Sequence, residues 1–263
     1  MPEGPEVSYL ADIIGKHIKN KILRTIHIKS KRYPNINKFK NSLPLKCINV
    51  DKKGKVIFIY FENNWCMICK LGMTGWFNID HKLSEYSNIH AIFEFSKNTV
   101  LTFVDQLKFG VISFINDMNY VKYQIERLAP DILNPETTFK TLIDRINLLS
   151  NKRLDNYLEN VIIDQRLILS GIGNYLKAEI LYDAKISPFR RLKDMNINDW
   201  KCLFKSAKII TKKMNKLLYQ LDDDAYFNQM KIYRKKLDPF GNKVSISKTI
   251  IGRTTYYVKS IQK

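Results

Sequence analysis

The sequence predicts an α+β fold: an N-terminal β-sandwich crossed by a helix, then a helical part, then short strands. Three observations predict it. Runs of β-branched and aromatic residues crowd the first half, helical periodicity dominates after Pro135, and strand-like runs with turn residues return after Met230. Hydrophobic residues make up 45% of the 263 residues, which is enough to form one large domain or two.

The N-terminal half is predicted to open with a helix and continue as strands. From Val7 to Leu23, apolar residues recur on one helical face. Short runs rich in β-branched and aromatic residues then predict strands, and Ser96-Lys97-Asn98 predicts the hairpin turn between the last two. The predicted strands are Lys55–Phe61, Trp65–Leu71, His90–Phe95 and Val100–Phe103.

Two prolines between Leu128 and Pro135 predict a boundary, because proline resists both helix and central strand. We expect a first domain at 1–128 and a linker at 129–136. Helical patterns follow at 138–149, 153–163, 174–182 and 197–219. The last stretch, from Met230, is predicted to form short strands, with turn signals at Asp238–Asn242 and at Gly252.

The charge balance indicates a polyanionic partner. Lys and Arg total 44 against 25 Asp and Glu, so the formal net charge is +19. Nucleic acid explains this excess best; an anionic membrane surface and a composition biased towards Lys, Asn and Ile are the alternatives. No apolar run is long enough to span a bilayer, the N-terminus does not resemble a signal peptide, and four cysteines suit reduced thiols. We therefore expect an intracellular location (nucleus, cytoplasm or viral factory) and no secretion.

The first residues carry groups suited to covalent chemistry. Removal of Met1 would leave Pro2 with a free secondary amine, and an α-amino group has a pKa of about 7.7–8.0. Such an amine can attack an electrophilic carbon and form an iminium. A carboxylic acid at Glu3 can protonate a departing group, and Glu6 lies one turn further on. The ordinary alternative is an unremarkable terminus whose acids complement a helix dipole.

Three motifs resemble one family. Pro2-Glu3-Gly4-Pro5-Glu6 resembles the N-terminus of the Fpg/Nei (formamidopyrimidine-DNA glycosylase/endonuclease VIII) family. The stretch from Asp164-Gln165 through Gly171-Ile172-Gly173-Asn174-Tyr175 to Glu179 is similar to its helix–two-turn–helix, and Ile251–Tyr256 with Gln262-Lys263 resembles half of its finger. The resemblance implies an N-terminal β-sandwich with flanking helices, a helix–two-turn–helix domain at 137–228 and a finger at 229–263.

The resemblance also implies roles for single residues. It makes Pro2 the Schiff-base nucleophile and Glu3 the general acid, with Glu6 in support. Four residues are implied to contact DNA: Lys55, His90, Asn174 and Arg253. Of these, Lys55 and Arg253 are also implied to assist strand cleavage. Without the family, Lys55 is equally a solvated lysine, Asn174 a helix cap and His90 a lone histidine.

An enzyme that extrudes a base must fill the gap left in the duplex. In Fpg-type members this plug is a Met, an Arg and a Phe. Met73 and Phe109 match, whereas Leu107 stands at the arginine position. Because leucine cannot donate hydrogen bonds to a base edge, we expect loose discrimination of the opposite base. The alternative for Met73 and Phe109 is ordinary core packing.

The finger departs from the family's zinc-binding pattern. Its four cysteine positions are occupied by Asp238, Gly241, Val258 and Ile261, so we expect no metal and no other cofactor. We expect an apolar core instead, from Ile232, Val244, Ile246, Ile250, Tyr257 and Val258. Cys66 and Cys69 lie three apart in a strand and point to opposite faces, which excludes a shared metal ion. This pattern resembles the zincless-finger Nei-like branch of vertebrates, plants and a giant virus.

These resemblances imply a monomeric bifunctional DNA glycosylase and AP (apurinic/apyrimidinic) lyase of base excision repair, acting on damaged DNA, duplex or single-stranded, by β,δ-elimination. The short stretch Leu221–Phe227 lacks the long loop of members that excise 8-oxoguanine, which favours oxidised pyrimidines. A non-catalytic damaged-DNA-binding protein of the same fold is the main alternative. A basic RNA-binding or ribosome-associated protein would explain the charge alone.

Overall fold

The computed structural model describes residues 2–28, 33, 35–79, 88–248 and 253–263. The chain packs as two units. The first consists of Pro2 with Glu6–Arg127, and the second consists of Glu3–Pro5 with Leu128–Lys263. Along the described ranges, no helix combines the length and the apolar character that crossing a bilayer would require.

The first unit is an antiparallel β-sandwich, as predicted. Its eight strands run in the order β5-β7-β6-β1-β2-β3-β4-β8. β1 and β2 pair at only two positions, Ile22↔Lys46 and Leu23↔Leu45, so two four-stranded halves meet there. Buried side chains from both halves form one core. The elements are α1 (Gly4–Ile18), β1 (Ile22–Ile28), α2 (Ile36–Lys40), β2 (Leu45–Lys53), β3 (Val56–Phe61), β4 (Cys66–Lys70), β5 (Gly75–Ile79), β6 (Ile89–Phe95), β7 (Thr99–Asp105), β8 (Val111–Ile115) and α3 (Met118–Glu126).

The predicted hairpin between β6 and β7 is present. Phe95 pairs with Thr99, and Lys97 and Asn98 between them adopt φ values of 60° and 53°. Two successive left-handed residues twist the chain as a tight hairpin between right-twisted strands requires. The turn residues at Ser96–Asn98 therefore predicted both the position and the geometry of this connection.

The first helix is shorter than predicted. It ends at Ile18, and Ile22 already begins β1, so the prediction of helix up to Leu23 is wrong. Asn20 takes φ 65°, and its N–H donates to the Cys47 carbonyl oxygen of β2 at 2.8 Å. Leu23, beyond the helix end, belongs to the core of the sheet and is fully buried. Periodicity alone cannot separate the end of one element from the start of the next.

The second unit is helical and ends in a two-stranded hairpin. The prediction of one helix at 153–163 is wrong, because two short helices lie there instead. The chain between them pairs with another segment: Leu158 N–H donates to the Arg190 carbonyl oxygen, and Tyr157 forms an isolated β-bridge with Arg191. The elements are α4 (Phe139–Asn147), α5 (Asn151–Leu154), α6 (Leu158–Val161), α7 (Asn174–Asp183), α8 (Ile197–Leu217), α9 (Asp223–Asn228), β9 (Ser245–Lys248) and β10 (Thr254–Tyr257).

The segment predicted as a linker is packed within the second unit. Ser170 N–H donates to the Pro130 carbonyl oxygen at 2.8 Å, and Ile132 N–H donates back to Ser170 at 3.1 Å. The Ser170 hydroxyl donates to the Ala129 carbonyl oxygen, and Asp131 is buried. The prolines of this segment indicated the absence of regular helix or strand. Its backbone hydrogen bonds nevertheless fix it against the loop that precedes α7.

The core of the finger agrees only in part with the sequence prediction. Ile232, Val244 and Val258 are buried together, and Ala178 and Tyr182 of α7 complete the cluster. Ile246 is 63% exposed, so its assignment to the core is wrong, because a two-stranded ribbon such as β9–β10 buries a side chain only where another element packs against that face. Tyr257 is half-buried and packs edge-on against Phe189, and Ile250 lies outside the described residues.

Asp238, which the sequence analysis assigned to one of the family's cysteine positions, is the acceptor of a buried hydrogen-bond network. The Tyr182 hydroxyl donates to its Oδ2 at 2.9 Å and the Asn242 amide to the same atom at 3.0 Å. The N–H groups of Phe240 and Asn242 donate to Oδ1 at 2.9 and 2.8 Å. One carboxylate thus joins the turn of the finger to α7. Nowhere in the described ranges do three or more His, Cys, Asp or Glu side chains gather as metal ligands would.

We predict that Asp238→Ala lowers the free energy of unfolding by about 1–3 kcal/mol, because it leaves the buried Tyr182 hydroxyl and two N–H groups without their acceptor. Chelators should leave the melting temperature unchanged. Thermal melts with and without EDTA measure both effects, with the exposed Asp194→Ala as the matched control. A chelator-sensitive melt, or equal stability of the two variants, would refute this account of the finger.

Candidate active site

The Glu3 carboxylate binds the N-terminus of α7. Its Oε2 accepts hydrogen bonds from the N–H groups of Gly173 at 2.7 Å and Leu176 at 3.2 Å, and its Oε1 accepts one from Tyr175 at 2.9 Å. The side chain is only 1% exposed. The first N–H groups of a helix have no partner within the helix and favour an anion. The helix thereby fixes the position of this carboxylate.

Two glycines permit this close docking. Gly4 N–H donates to the Gly171 carbonyl oxygen at 2.7 Å, and a Cβ on Gly4 would lie 3.0 Å from both Cα and O of Gly171. Gly171 adopts φ +97°, which disfavours any side chain there. The Gln165 amide fixes the same loop, because it accepts from Gly171 N–H and donates to the Ile172 carbonyl oxygen, both at 2.8 Å. The stretch Gly171-Ile172-Gly173 is therefore shaped to receive Glu3.

The occupied helix terminus changes the role expected for Asn174. N–H groups at the start of a helix favour an anion such as a DNA phosphate, but here Glu3 occupies those of Gly173, Tyr175 and Leu176. The side-chain amide of Asn174 donates to the Thr254 carbonyl oxygen at 2.9 Å, which joins α7 to β10. A DNA contact by Asn174 stays a prediction, and its phosphate partner would have to meet other donors.

Three other residues with predicted roles in catalysis lie in the first unit: Pro2, Glu6 and Lys55. Pro2 is half-buried, and a single peptide bond joins it to Glu3. Glu6 is buried on the first turn of α1. Lys55 lies in the turn between β2 and β3 and is half-buried. The roles of these three residues stay predictions.

His90 lies deeper than a DNA-contacting histidine was expected to lie. It is 9% exposed, and its Nε2 lies 2.9 Å from the carbonyl oxygen of Asp105. Because a carbonyl oxygen only accepts, Nε2 carries the proton in this hydrogen bond. His90 therefore supports the end of β7, and a direct contact with DNA stays a prediction.

The three predicted void-filling residues project into solvent from two turns. Met73, Leu107 and Phe109 are 46%, 45% and 59% exposed, so they are not core residues. Buried Asp105 joins the two turns: its carboxylate accepts from the Thr74 hydroxyl at 2.5 Å and from Gly110 N–H at 2.6 Å.

A second contact brings these turns together. Leu107 N–H donates to the Thr74 hydroxyl oxygen at 2.9 Å. A Cβ on Gly72, whose φ is +65°, would lie 2.7 Å from the backbone of Phe109. Large apolar side chains exposed on a fixed support are the arrangement that a base-stack wedge requires.

Arg253 is exposed and immediately precedes β10. Nearby in the second unit lies a buried charge cluster that the sequence analysis missed. Lys177 is fully buried, and its Nζ donates to the Thr255 hydroxyl at 2.7 Å, which in turn donates to the Glu159 carboxylate at 2.5 Å. The sequence carried a signal for Lys177: it lies within a predicted helix whose neighbouring residues are mostly apolar, among them Leu176, Ala178 and Ile180.

Family models match both ends of the chain. The formamidopyrimidine-DNA glycosylase N-terminal domain matches residues 1–112, and the C-terminal domain of the same family matches residues 220–263. Together these matches span more than half of the chain. Two of the three motifs that carry the resemblance, at Pro2–Glu6 and around Arg253, lie inside these matched ranges, whereas the stretch at 164–179 lies between them.

Relatives and solved structures agree with these matches. A formamidopyrimidine-DNA glycosylase of Rickettsia bellii is 28% identical, with complete coverage of both chains. A Lactococcus lactis formamidopyrimidine-DNA glycosylase, solved non-covalently bound to DNA containing an AP site, has a TM-score of 0.84 at 20% identity and 99% coverage of each chain. The same bacterium's enzyme with DNA containing an oxidised pyrimidine gives 0.85 at 20% identity, with complete coverage of both chains. The chain belongs to the formamidopyrimidine-DNA glycosylase family.

Proposed function

We propose that this protein is a bifunctional DNA glycosylase and AP lyase that excises oxidised bases, mainly pyrimidines, in base excision repair. The observation that carries the proposal is the Glu3 carboxylate, buried and fixed by three N–H groups directly beside the residue whose amine would react. Family membership and the net charge of +19 support DNA as the substrate.

The proposed chemistry begins with Met1 removal, which frees the Pro2 amine. Its nitrogen lone pair forms a bond to C1′ of the damaged nucleotide, and the base departs with the electron pair of the glycosidic bond. The Glu3 carboxylate accepts the proton that the Pro2 nitrogen loses once its bond to C1′ has formed, and it passes that proton to the sugar-ring oxygen as the ring opens to an iminium. Loss of a proton from C2′ then expels the 3′ phosphate, and a second elimination expels the 5′ phosphate. No metal or cofactor takes part in these steps.

Other residues would position the DNA. The exposed guanidinium of Arg253 can contact a phosphate through two hydrogen bonds at once, which a lysine cannot. Met73, Leu107 and Phe109 would fill the gap left by the extruded base, as their exposure suggests. Lys55, His90 and Asn174 complete the predicted DNA contacts.

The proposed preference for oxidised pyrimidines rests on the length of one segment, and the proposed loose reading of the opposite base rests on Leu107. The stretch before the finger is short, and the six-residue helix α9 occupies it, leaving no long loop to cover a purine. Leu107 replaces a hydrogen-bonding arginine, which fits loose reading of the opposite base. We place the chain nearest the zincless-finger Nei-like branch. The L. lactis relative has been solved with an oxidised pyrimidine in its DNA.

A non-catalytic damaged-DNA-binding protein of the same fold is the second candidate, since exposed Arg253 and the basic charge would serve binding alone. Borohydride reduction separates the two, because it converts an iminium to a stable covalent amine. Incubation with duplexes carrying thymine glycol, 8-oxoguanine or an AP site should give a trapped protein–DNA product, strongest for the pyrimidine lesion and the AP site. A failure to trap on any lesion would favour the binding protein.

We predict that Pro2→Gly keeps DNA binding and loses most base excision and trapping, because the secondary amine is replaced. Single-turnover excision on a thymine-glycol duplex measures this, after mass spectrometry has verified that Met1 is absent. Pro135→Gly, at an exposed position, is the matched control and should behave as wild type. Wild-type kinetics in a fully processed Pro2→Gly protein would eliminate the proposed nucleophile.

We predict that Glu3→Gln lowers excision by about 100-fold or more, a typical contribution of general acid–base catalysis. It should also lower the free energy of unfolding by about 1–3 kcal/mol, since an amide NH₂ group faces helix N–H groups that need an acceptor. Excision kinetics and thermal melts measure the two effects, with the exposed Glu136→Gln as control. A Glu3→Gln protein that is less stable but fully active would make Glu3 a structural cap only.

A further inference from the structure

Lys177 is a fully buried charged residue that the proposed chemistry does not use. It lies on α7, three residues after Asn174. Its ammonium reaches the Glu159 carboxylate through the hydroxyl of Thr255, over 2.7 and 2.5 Å. Burying a cation is costly unless it is paired and hydrogen-bonded, so this placement calls for a reason.

The lysine fixes the start of β10 together with Asn174. Asn174 donates to the Thr254 carbonyl oxygen and Lys177 donates to the Thr255 side chain, so α7 contacts two successive residues of the strand. The residue immediately before them is Arg253, which is exposed. The register of β10 against α7 therefore determines where the Arg253 backbone leaves the fold.

The charges around Lys177 affect the same arginine. Burial lowers the pKa of Lys177 to about 8; Glu159 and Glu3 oppose this shift, whereas Arg253 adds to it by like-charge repulsion. Two buried carboxylates and two cations thus act on one another. Without the ammonium, Glu159 would lose its counter-charge, and the buried carboxylates would attract Arg253, a cation whose charge already acts on Lys177.

We propose that Lys177 is a positioning residue for Arg253: it fixes the start of β10 through Thr255 and Glu159, and it keeps the buried carboxylates from drawing the guanidinium away from the DNA phosphates. This inference rests on the proposed function, because it assumes that Arg253 grips a phosphate. In this proposal Lys177 contributes to DNA binding without contacting the DNA or the reacting atoms.

The matched pair Thr255→Val and Thr255→Ser tests the bridge. Valine keeps the shape and removes the hydroxyl, whereas serine keeps the hydroxyl. The measurement is equilibrium binding to a duplex containing tetrahydrofuran, an uncleavable AP-site analogue, over a range of salt. We expect Thr255→Val and Lys177→Met to bind about tenfold more weakly, as for loss of one charge-assisted hydrogen bond. Thr255→Ser, and Lys201→Met on the exposed face of α8, should bind as wild type.

The salt dependence distinguishes positioning from a general structural role. Losing one phosphate contact should reduce the slope of log K against log salt by about 0.9, in Thr255→Val as in Arg253→Ala. In the double-mutant cycle, Thr255→Val should cost almost nothing further once Arg253 is already alanine. Weaker binding with an unchanged slope, or costs that add in the cycle, would overturn the proposal.

The pH dependence provides a test that needs no buried substitution. Below about pH 8 Lys177 is protonated and should keep Arg253 available, and as the pH rises through 8 it loses its charge. Wild-type affinity should therefore fall between pH 7 and 9, whereas Arg253→Ala, whose side chain is exposed, should show no such fall.

An equal response of both proteins to pH would overturn the inference even if the buried variants fail to fold. If wild type neither prefers the analogue nor traps with borohydride, the proposed function itself fails. If wild type does both and the cycle is additive, only the inference about Lys177 fails.

Discussion

The hydrogen bonds between the Glu3 carboxylate and the first N–H groups of α7 are the constraint on which the candidate site depends. A helix terminus offers unpaired donors and a favourable field for an anion, and here the chain's own third residue supplies that anion. The close approach of Gly4 to Gly171 makes the contact possible. Chain connectivity then limits the reach of the Pro2 amine, since Pro2 is bonded directly to the fixed Glu3.

Helix α7 supports three functions at once. Its N-terminus fixes Glu3, its first turn fixes β10 through Asn174 and Lys177, and the buried carboxylate of Glu179 accepts N–H groups from Lys231, Ile232 and Tyr233 at 2.8–2.9 Å. Together with Tyr182, which bonds to Asp238, these contacts anchor both ends of the finger to one rigid element. A carboxylate network and a small apolar cluster thereby stabilise a segment for which the described residues supply no cluster of metal ligands.

The sequence predicted those elements whose signals are local. The β6–β7 hairpin followed from its turn residues, and α8 from its long amphipathic repeat. It did not predict features that depend on distant partners. The end of α1 depends on a bond from Asn20 to β2, and the exposure of Ile246 depends on which face of a two-stranded ribbon is covered.

In the candidate site too, local motifs gave predictions, whereas contacts between distant residues could not be predicted. Pro2, Glu3 and Arg253 were predicted from motifs, and their roles stay predictions, whereas the exposure of Met73, Leu107 and Phe109 excludes only the core-packing alternative. The occupant of the α7 terminus could not be predicted, because a carboxylate 170 residues away in the chain satisfies those donors in place of a ligand. Lys177 and Glu159 were missed because their pairing requires a hydroxyl from the last strand.

In the proposed reaction, the Pro2 amine beside the fixed Glu3 carboxylate is the group that bonds to DNA. Mass spectrometry of the borohydride-reduced adduct, after proteolysis, locates the modified residue directly. This account predicts that a duplex containing an AP site becomes attached to an N-terminal peptide that begins with Pro2, at its amine. Attachment to a lysine, such as Lys55, or to a peptide that retains Met1, would contradict it.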